Sequence, residues 1–168
     1  MTGIESADTR ASELAEFRRE GFTMAFYVAI CLIAALTVAG GDPDHTVDVI
    51  GIVWGTAIGL ALAHWFAFRL STKLVAGNRF DRTDAQLAGA QLLGAASVAV
   101  IATIPILLAP PESELESARL ALALTIGLAG FAVARTDGAP VLRSILYGGV
   151  ILVMALAIAL IKNTLAGH

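Results

Sequence analysis

Five stretches without a single Asp, Glu, Lys or Arg occupy most of this 168-residue chain. A helix rises about 1.5 Å per residue, so about 20 apolar residues cross a hydrocarbon core about 30 Å thick. Four of the five reach or approach that length. The exception is the fourth stretch in chain order, which spans only if Arg119 and Arg135 turn their charged ends toward the two interfaces. The sequence therefore predicts an all-α integral membrane protein with five transmembrane helices. The uncharged cores are residues 22–39, 49–68, 87–109, 120–134 and 144–161.

The basic residues are distributed unevenly between the connections. Of the 11 Lys and Arg side chains, all but Arg119 and Lys162 lie in the N-terminal segment, the second connection or the fourth connection. These three segments share one side of the membrane if every stretch spans. Because positive charge accumulates in cytoplasmic loops, we predict a cytoplasmic N-terminus and a C-terminus outside. The small size and high alanine content favour a prokaryotic plasma membrane.

Composition narrows the classes of function. Hydrophobic residues make up 57% of the chain, which leaves no room for a water-soluble domain. No basic patch suits nucleic acid, and no nucleophile–base pair, phosphate loop or closed metal site indicates an enzyme. We expect neither enzymatic activity nor a resident cofactor. The expected partner is the lipid bilayer. Residues 1–20 are expected to form a cytoplasmic helix that can rest on the headgroups, and residues 21–168 a single five-helix transmembrane domain.

A ladder of small residues marks the second stretch. Gly51, Gly55 and Gly59 recur at four-residue spacing and are continued by Ala63 and Ala67, so they share one helix face. Such a face lets a second helix approach closely. It predicts close packing within the bundle, or a homodimer or other homo-oligomer.

Ionisable and amide side chains are scarce in the apolar stretches and lie near their predicted cytoplasmic ends. They are Glu20, His64, Gln86 and Gln91. Position beside Trp65 favours an interfacial aromatic belt for His64, and hydrogen bonds to a neighbouring helix are favoured for Gln86 and Gln91. If the helix ends converge, these side chains instead form a vestibule for a cation. Carboxylate and imidazole ligands suit Mn, Fe or Zn, so Glu20 and His64 are candidate metal ligands.

The first predicted outer loop is acidic. Asp42, Asp44, His45 and Asp48 place four candidate metal ligands within seven residues, and residues 112–116 form a second acidic loop. A solvated loop without positive charge explains this composition. The alternative is a site that attracts or releases cations on the outer side.

Several short segments together resemble the vacuolar iron transporter family. Glu20-Gly21 resembles the Asp-Gly at the start of that family's first span, whose carboxylate lies on the ion path. Three further segments resemble the end of the second span, the proline-bearing end of the third, and the arginine–serine entry and glycine pair of the fifth. They are residues 61–74, residues 104–110, and residues 141–144 with Gly148-Gly149. The resemblance implies five spans, a cytoplasmic N-terminus, dimerisation and transport of iron or manganese.

The chain also departs from this pattern. His64 stands where the family carries Glu, and Leu60 stands where it carries the pathway Met. The connection over residues 71–85 is too short for the cytoplasmic metal-binding helices of plant and protist members. Two hypotheses follow. The first is a transporter that moves divalent cations of the Fe²⁺/Mn²⁺ type out of the cytoplasm; the second is a non-transporting scaffold or assembly subunit that keeps a transporter-like fold.

Overall fold

The computed structural model describes residues 2–39, 46–76 and 82–166, and within them the chain is helical apart from short turns. Each of the five α-helices is long and apolar enough to cross a membrane. The predicted all-α fold with five membrane-spanning helices is therefore confirmed. The helices are α1 (Thr2–Val38), α2 (Thr46–Ala76), α3 (Arg82–Leu108), α4 (Glu114–Thr136) and α5 (Val141–Ala166), with a 3₁₀ turn at Pro111–Ser113 before α4.

The turn between α4 and α5 shows how local sequence ends one span and starts the next. Gly138 has a φ of 78°, a conformation that costs a glycine little. Its amide donates to the carbonyl of Arg135, and the amide of Ala139 donates to that of Ala134, both at 3.1 Å. This Schellman arrangement satisfies carbonyls at the end of α4. Pro140 cannot continue a helix, and α5 begins at the next residue.

Helix α1 is the centre of the bundle. It packs against each of the other four helices. With 37 residues it is about 55 Å long, longer than the roughly 30 Å of a hydrocarbon core. The N-terminal segment and the first span are therefore one continuous helix. Val28, Leu32 and Leu36 of α1 are completely buried among its neighbours.

The outside of the bundle is apolar. On α5 alone, Leu146, Val150 and Val153 each expose more than half of their surface. Exposed apolar patches of this extent favour aggregation in water, whereas lipid tails solvate them. With all five helices long and apolar enough to span, the molecule is a multi-pass membrane protein.

Two pairs of helices meet backbone to backbone at glycines that the ladder did not indicate. A Cβ atom at Gly94 of α3 would overlap the carbonyl oxygen of Gly21 in α1. A Cβ atom at Gly148 of α5 would lie 2.7 Å from the carbonyl oxygen of Gly127 in α4. Both contacts require glycine because any side chain would force the helices apart.

Within the described part of the chain, nothing packs on the glycine ladder of α2. A Cβ atom at Gly51, Gly55 or Gly59 would meet nothing within 4 Å. The core-facing residues of α2 include Val53 and Ala57, which lie on the opposite face. Of the two alternatives for the ladder, packing inside the bundle is therefore not found among the described residues, and the face lies open on the outside of the bundle.

The two ends of the bundle differ. We call the end formed by the start of α3, the end of α2 and the N-terminal half of α1 the basic end, and the opposite end the acidic end. At the acidic end, Nη2 of Arg119 donates to the carbonyl oxygen of Leu36 at 2.5 Å, next to the end of α1. There the cation offsets the negative end of the helix dipole.

We predict that Gly94→Ala destabilises the fold by about 1–3 kcal/mol, the usual cost of overpacking, because the methyl group collides with backbone rather than with a flexible side chain. Thermal unfolding in detergent, followed by circular dichroism, measures the loss. Gly89→Ala on the same helix is the matched control, since its Cβ would meet nothing within 4 Å. Equal stability of the two variants would contradict the close contact between α1 and α3.

Candidate cation-binding site

A cavity of about 210 Å³ lies between α1, α2 and α3 at the basic end. It is the place where most of the polar side chains predicted to lie at the inner helix ends come together. The side chains of the residues that line it carry carboxylate, imidazole, amide, hydroxyl, phenol and thioether groups. The lining residues are Glu20, Thr23, Met24, Tyr27, His64 and Gln91.

Helix α1 supplies four of the six lining residues. Glu20, Thr23, Met24 and Tyr27 follow the pattern i, i+3, i+4, i+7, so they form one stripe along the helix. Met24 is buried, and Tyr27 is about half exposed. The Thr23 hydroxyl donates to the carbonyl oxygen of Arg19 at 2.8 Å, which leaves its oxygen lone pairs as acceptors.

Helices α2 and α3 each contribute one side chain from their core-facing stripe. His64 follows Val53, Ala57 and Ala61 on the same face of α2, but it lies beyond the packed core and is exposed. Gln91 lies in the buried stripe of α3 and exposes only 6% of its surface. The faces that build the core therefore also direct His64 and Gln91 to the cavity.

Glu20 is held by one buried partner and one exposed partner. The amide nitrogen of Gln91 donates to its Oε2 at 3.1 Å. Its Oε1 lies 3.7 Å from Nη2 of Arg19, a side chain that is 74% exposed, whereas that of Glu20 is 27% exposed. The hydrogen bond to the amide fixes the carboxylate, because an exposed ion pair contributes little to stability and is easily replaced.

The sequence identified half of this site. Glu20, His64 and Gln91 lie around one cavity, as the convergence hypothesis required. Gln86 does not line it and is exposed. Thr23, Met24 and Tyr27 were missed, although their spacing from Glu20 on a helix was a usable signal.

The acidic loop contributes nothing to the cavity in the described part of the chain. Asp42, Asp44 and His45 lie outside the described residues. Asp48 is in the first turn of α2 and is exposed. There a carboxylate stabilises the helix start, so its position has a structural explanation.

The cavity brings few candidate metal ligands together. No group of three or more His, Cys, Asp or Glu placed to hold a metal ion occurs among the residues described. Glu20 and His64 are the two lining residues of the types that bind metals strongly. Structural metal sites use closed sets of about four such ligands, and the described lining does not supply such a set.

Comparisons with protein-family models, with curated proteins and with solved structures found no match. The resemblance to vacuolar iron transporters therefore remains a prediction carried by the short motifs of the sequence.

We predict a coupling free energy of about 1 kcal/mol between Glu20 and Gln91, the usual net worth of a hydrogen bond that is partly exposed to water. A double-mutant cycle with Glu20→Ala and Gln91→Leu measures it by thermal or denaturant unfolding. The same cycle between Glu20 and Gln86, which lies outside the cavity, should give a value near zero. Equal coupling in both cycles would mean that Gln91 does not hold the carboxylate.

Proposed function

We propose that this protein is a transporter that moves divalent metal cations of the Fe²⁺/Mn²⁺ type out of the cytoplasm. The observation that carries the proposal is the meeting of Glu20, His64 and Gln91, from three different helices, at one cavity. Ionisable side chains are costly within membrane-spanning helices, and those placed at a common cavity are the usual mark of an ion pathway. Carboxylate with imidazole is a ligand pair suited to these ions.

The cavity serves as the entry vestibule in this proposal. Nine of the 11 basic residues belong to segments predicted on its side, which favours a cytoplasmic basic end. An arriving cation replaces Arg19 at the carboxylate of Glu20, because that ion pair is exposed. The imidazole of His64 binds from α2, and the ion is held without a closed coordination shell.

We predict that proteoliposomes containing the protein take up Fe²⁺ or Mn²⁺, and that Glu20→Gln and His64→Ala each reduce the flux at least about tenfold. Each variant removes one of two strong ligands, and about 1.4 kcal/mol corresponds to a tenfold change in binding. Glu16→Gln is the matched control, since Glu16 is exposed on the same helix one turn earlier and does not line the cavity.

Flux that persists in both variants would place the pathway elsewhere. Binding has a second readout, because an ion that binds the folded state raises its melting temperature by mass action. Mn²⁺, Fe²⁺, Co²⁺ and Zn²⁺ are each titrated against wild type and Glu20→Gln. If none of them stabilises the well-folded wild type, the cavity is not a divalent-cation site.

The second candidate function is a membrane scaffold or assembly subunit without transport. The small ligand set favours it, since the described residues hold no cluster of three strong metal ligands. A scaffold requires no path through the bundle and no change of conformation. Absence of flux from well-folded protein, with and without a pH gradient, would support this function over the first.

The open glycine face of α2 supports a homodimer in either case. Gly51, Gly55 and Gly59 leave a surface on which none of the described residues packs. Small residues on such a face let the helix of a second copy approach closely. We predict that Gly55→Leu weakens self-association in lipid, measured by energy transfer between donor-labelled and acceptor-labelled copies. Gly149→Leu is the control, because Gly149 is an equally open glycine on α5. Equal energy transfer in both variants would exclude α2 as the interface.

A further inference from the structure

Polar contacts connect three helices, α1, α2 and α4, at the acidic end of the bundle. The hydroxyl of Thr46, at the start of α2, donates to Oε1 of Glu114 at 2.5 Å. Nη2 of Arg119 donates to the carbonyl oxygen of Leu36 at 2.5 Å. The first two turns of α4 are thereby tied both to the start of α2 and to the end of α1.

These contacts involve charged groups withdrawn from solvent. Glu114 exposes 4% of its surface, and the carboxylate of Glu114 accepts a hydrogen bond from the hydroxyl of Thr46. Arg119 is 27% exposed, and its Nη1 lies 3.5 Å from a carboxylate oxygen of the exposed Glu116. A charged group withdrawn from water is tolerated only when it has partners. Loss of one partner therefore destabilises the packing of the helices at the acidic end.

The packing at the acidic end also includes an unfavourable free-energy term. Nε of Arg119 is buried and has no hydrogen-bond partner among the residues that the structure describes. A buried donor without a partner is unfavourable relative to the same donor in water. Opening the acidic end would hydrate this atom, which offsets part of the cost of breaking the other contacts.

An apolar layer lies next to the polar contacts. Leu36 of α1, Val49 of α2, Ile106 of α3 and Leu122 of α4 belong to one buried cluster, and each is at most 1% exposed. Three of them lie within about one turn of the acidic ends of their helices. This layer separates the interior from the acidic end, whereas the cavity at the basic end reaches the exposed His64.

We propose that Thr46, Glu114 and Arg119 form a latch that holds the acidic end closed, and that its release opens the way out for the ion. The proposal rests on the proposed transport function, because an ion in the cavity must leave at the opposite end. Breaking the contact between Thr46 and Glu114 frees the start of α2 from α4. Val49, one turn further along α2, then becomes accessible to water.

Cysteine labelling tests the latch directly. Cys31, the single native cysteine, is replaced by Ala, and Val49→Cys is introduced as the reporter in lipid nanodiscs. A membrane-impermeant maleimide is the probe. We expect Thr46→Val to raise the labelling rate about tenfold, the shift that follows the loss of one hydrogen bond to a charged group. Thr46→Ser keeps the hydroxyl and should leave the rate within about twofold of the unmodified latch.

Val47→Cys is the labelling control, because Val47 is 75% exposed and should react equally fast in every variant. Equal reactivity of Val49→Cys in well-folded Thr46→Val and Thr46→Ser would overturn the latch, even if Thr46→Val lowers the melting temperature. Labelling requires no ion, so it is independent of the flux measurements. Faster labelling in Thr46→Val without flux in wild type would show that these contacts close the acidic end, and would reject both transport and an exit path for an ion.

Discussion

The contact between Gly21 and Gly94 brings the backbones of α1 and α3 together, and the arrangement of the cavity depends on it. Lipid tails are as apolar as the side chains they touch, so helices in a membrane associate through close packing and hydrogen bonds. At this contact both act together. Gly21 follows Glu20 in α1, and Gly94 lies three residues from Gln91 in α3. The backbone contact therefore sets the distance between the Gln91 amide and the Glu20 carboxylate. A side chain at either glycine would disturb the packing and the polar pair at once.

Helix α1 connects the two ends of the molecule. Near its middle it presents Glu20 to the cavity, and close to its end the carbonyl of Leu36 accepts from Arg119. Both features lie on one continuous helix that packs against all four others. A displacement of α1 at one end is therefore transmitted along a rigid element to the other. The proposed transport function needs such a coupling, since alternating access would link a vestibule at one end to a closure at the opposite end.

Apolar length and turn residues were sufficient to predict the helices, because a backbone in lipid must satisfy its own hydrogen bonds and a helix does so locally. Pairing between helices was less predictable. The ladder at Gly51, Gly55 and Gly59 had the stronger pattern, yet the close contacts formed at Gly94 and Gly148, where no repeat marks the sequence. A repeat of small residues shows that another helix can approach that face closely, but it does not identify which helix packs there. Likewise, Arg119 could be placed near an interface, but its partner on α1 depends on tertiary packing.

His64 stands where the vacuolar iron transporters, which the chain resembles, carry Glu, and this difference bears on the charge of the cavity. Two carboxylates in about 210 Å³ would repel each other, and one of them would have to be protonated or bound to a cation. Among the described residues that line the cavity, Glu20 is the single carboxylate, and Gln91 and Arg19 partner it. Under the proposed transport function, an entering cation would gain this carboxylate by displacing an exposed arginine, which would keep its binding weak and its release fast. Weak binding is a disadvantage for a storage site and an advantage for a transport site, because an ion that binds tightly leaves slowly.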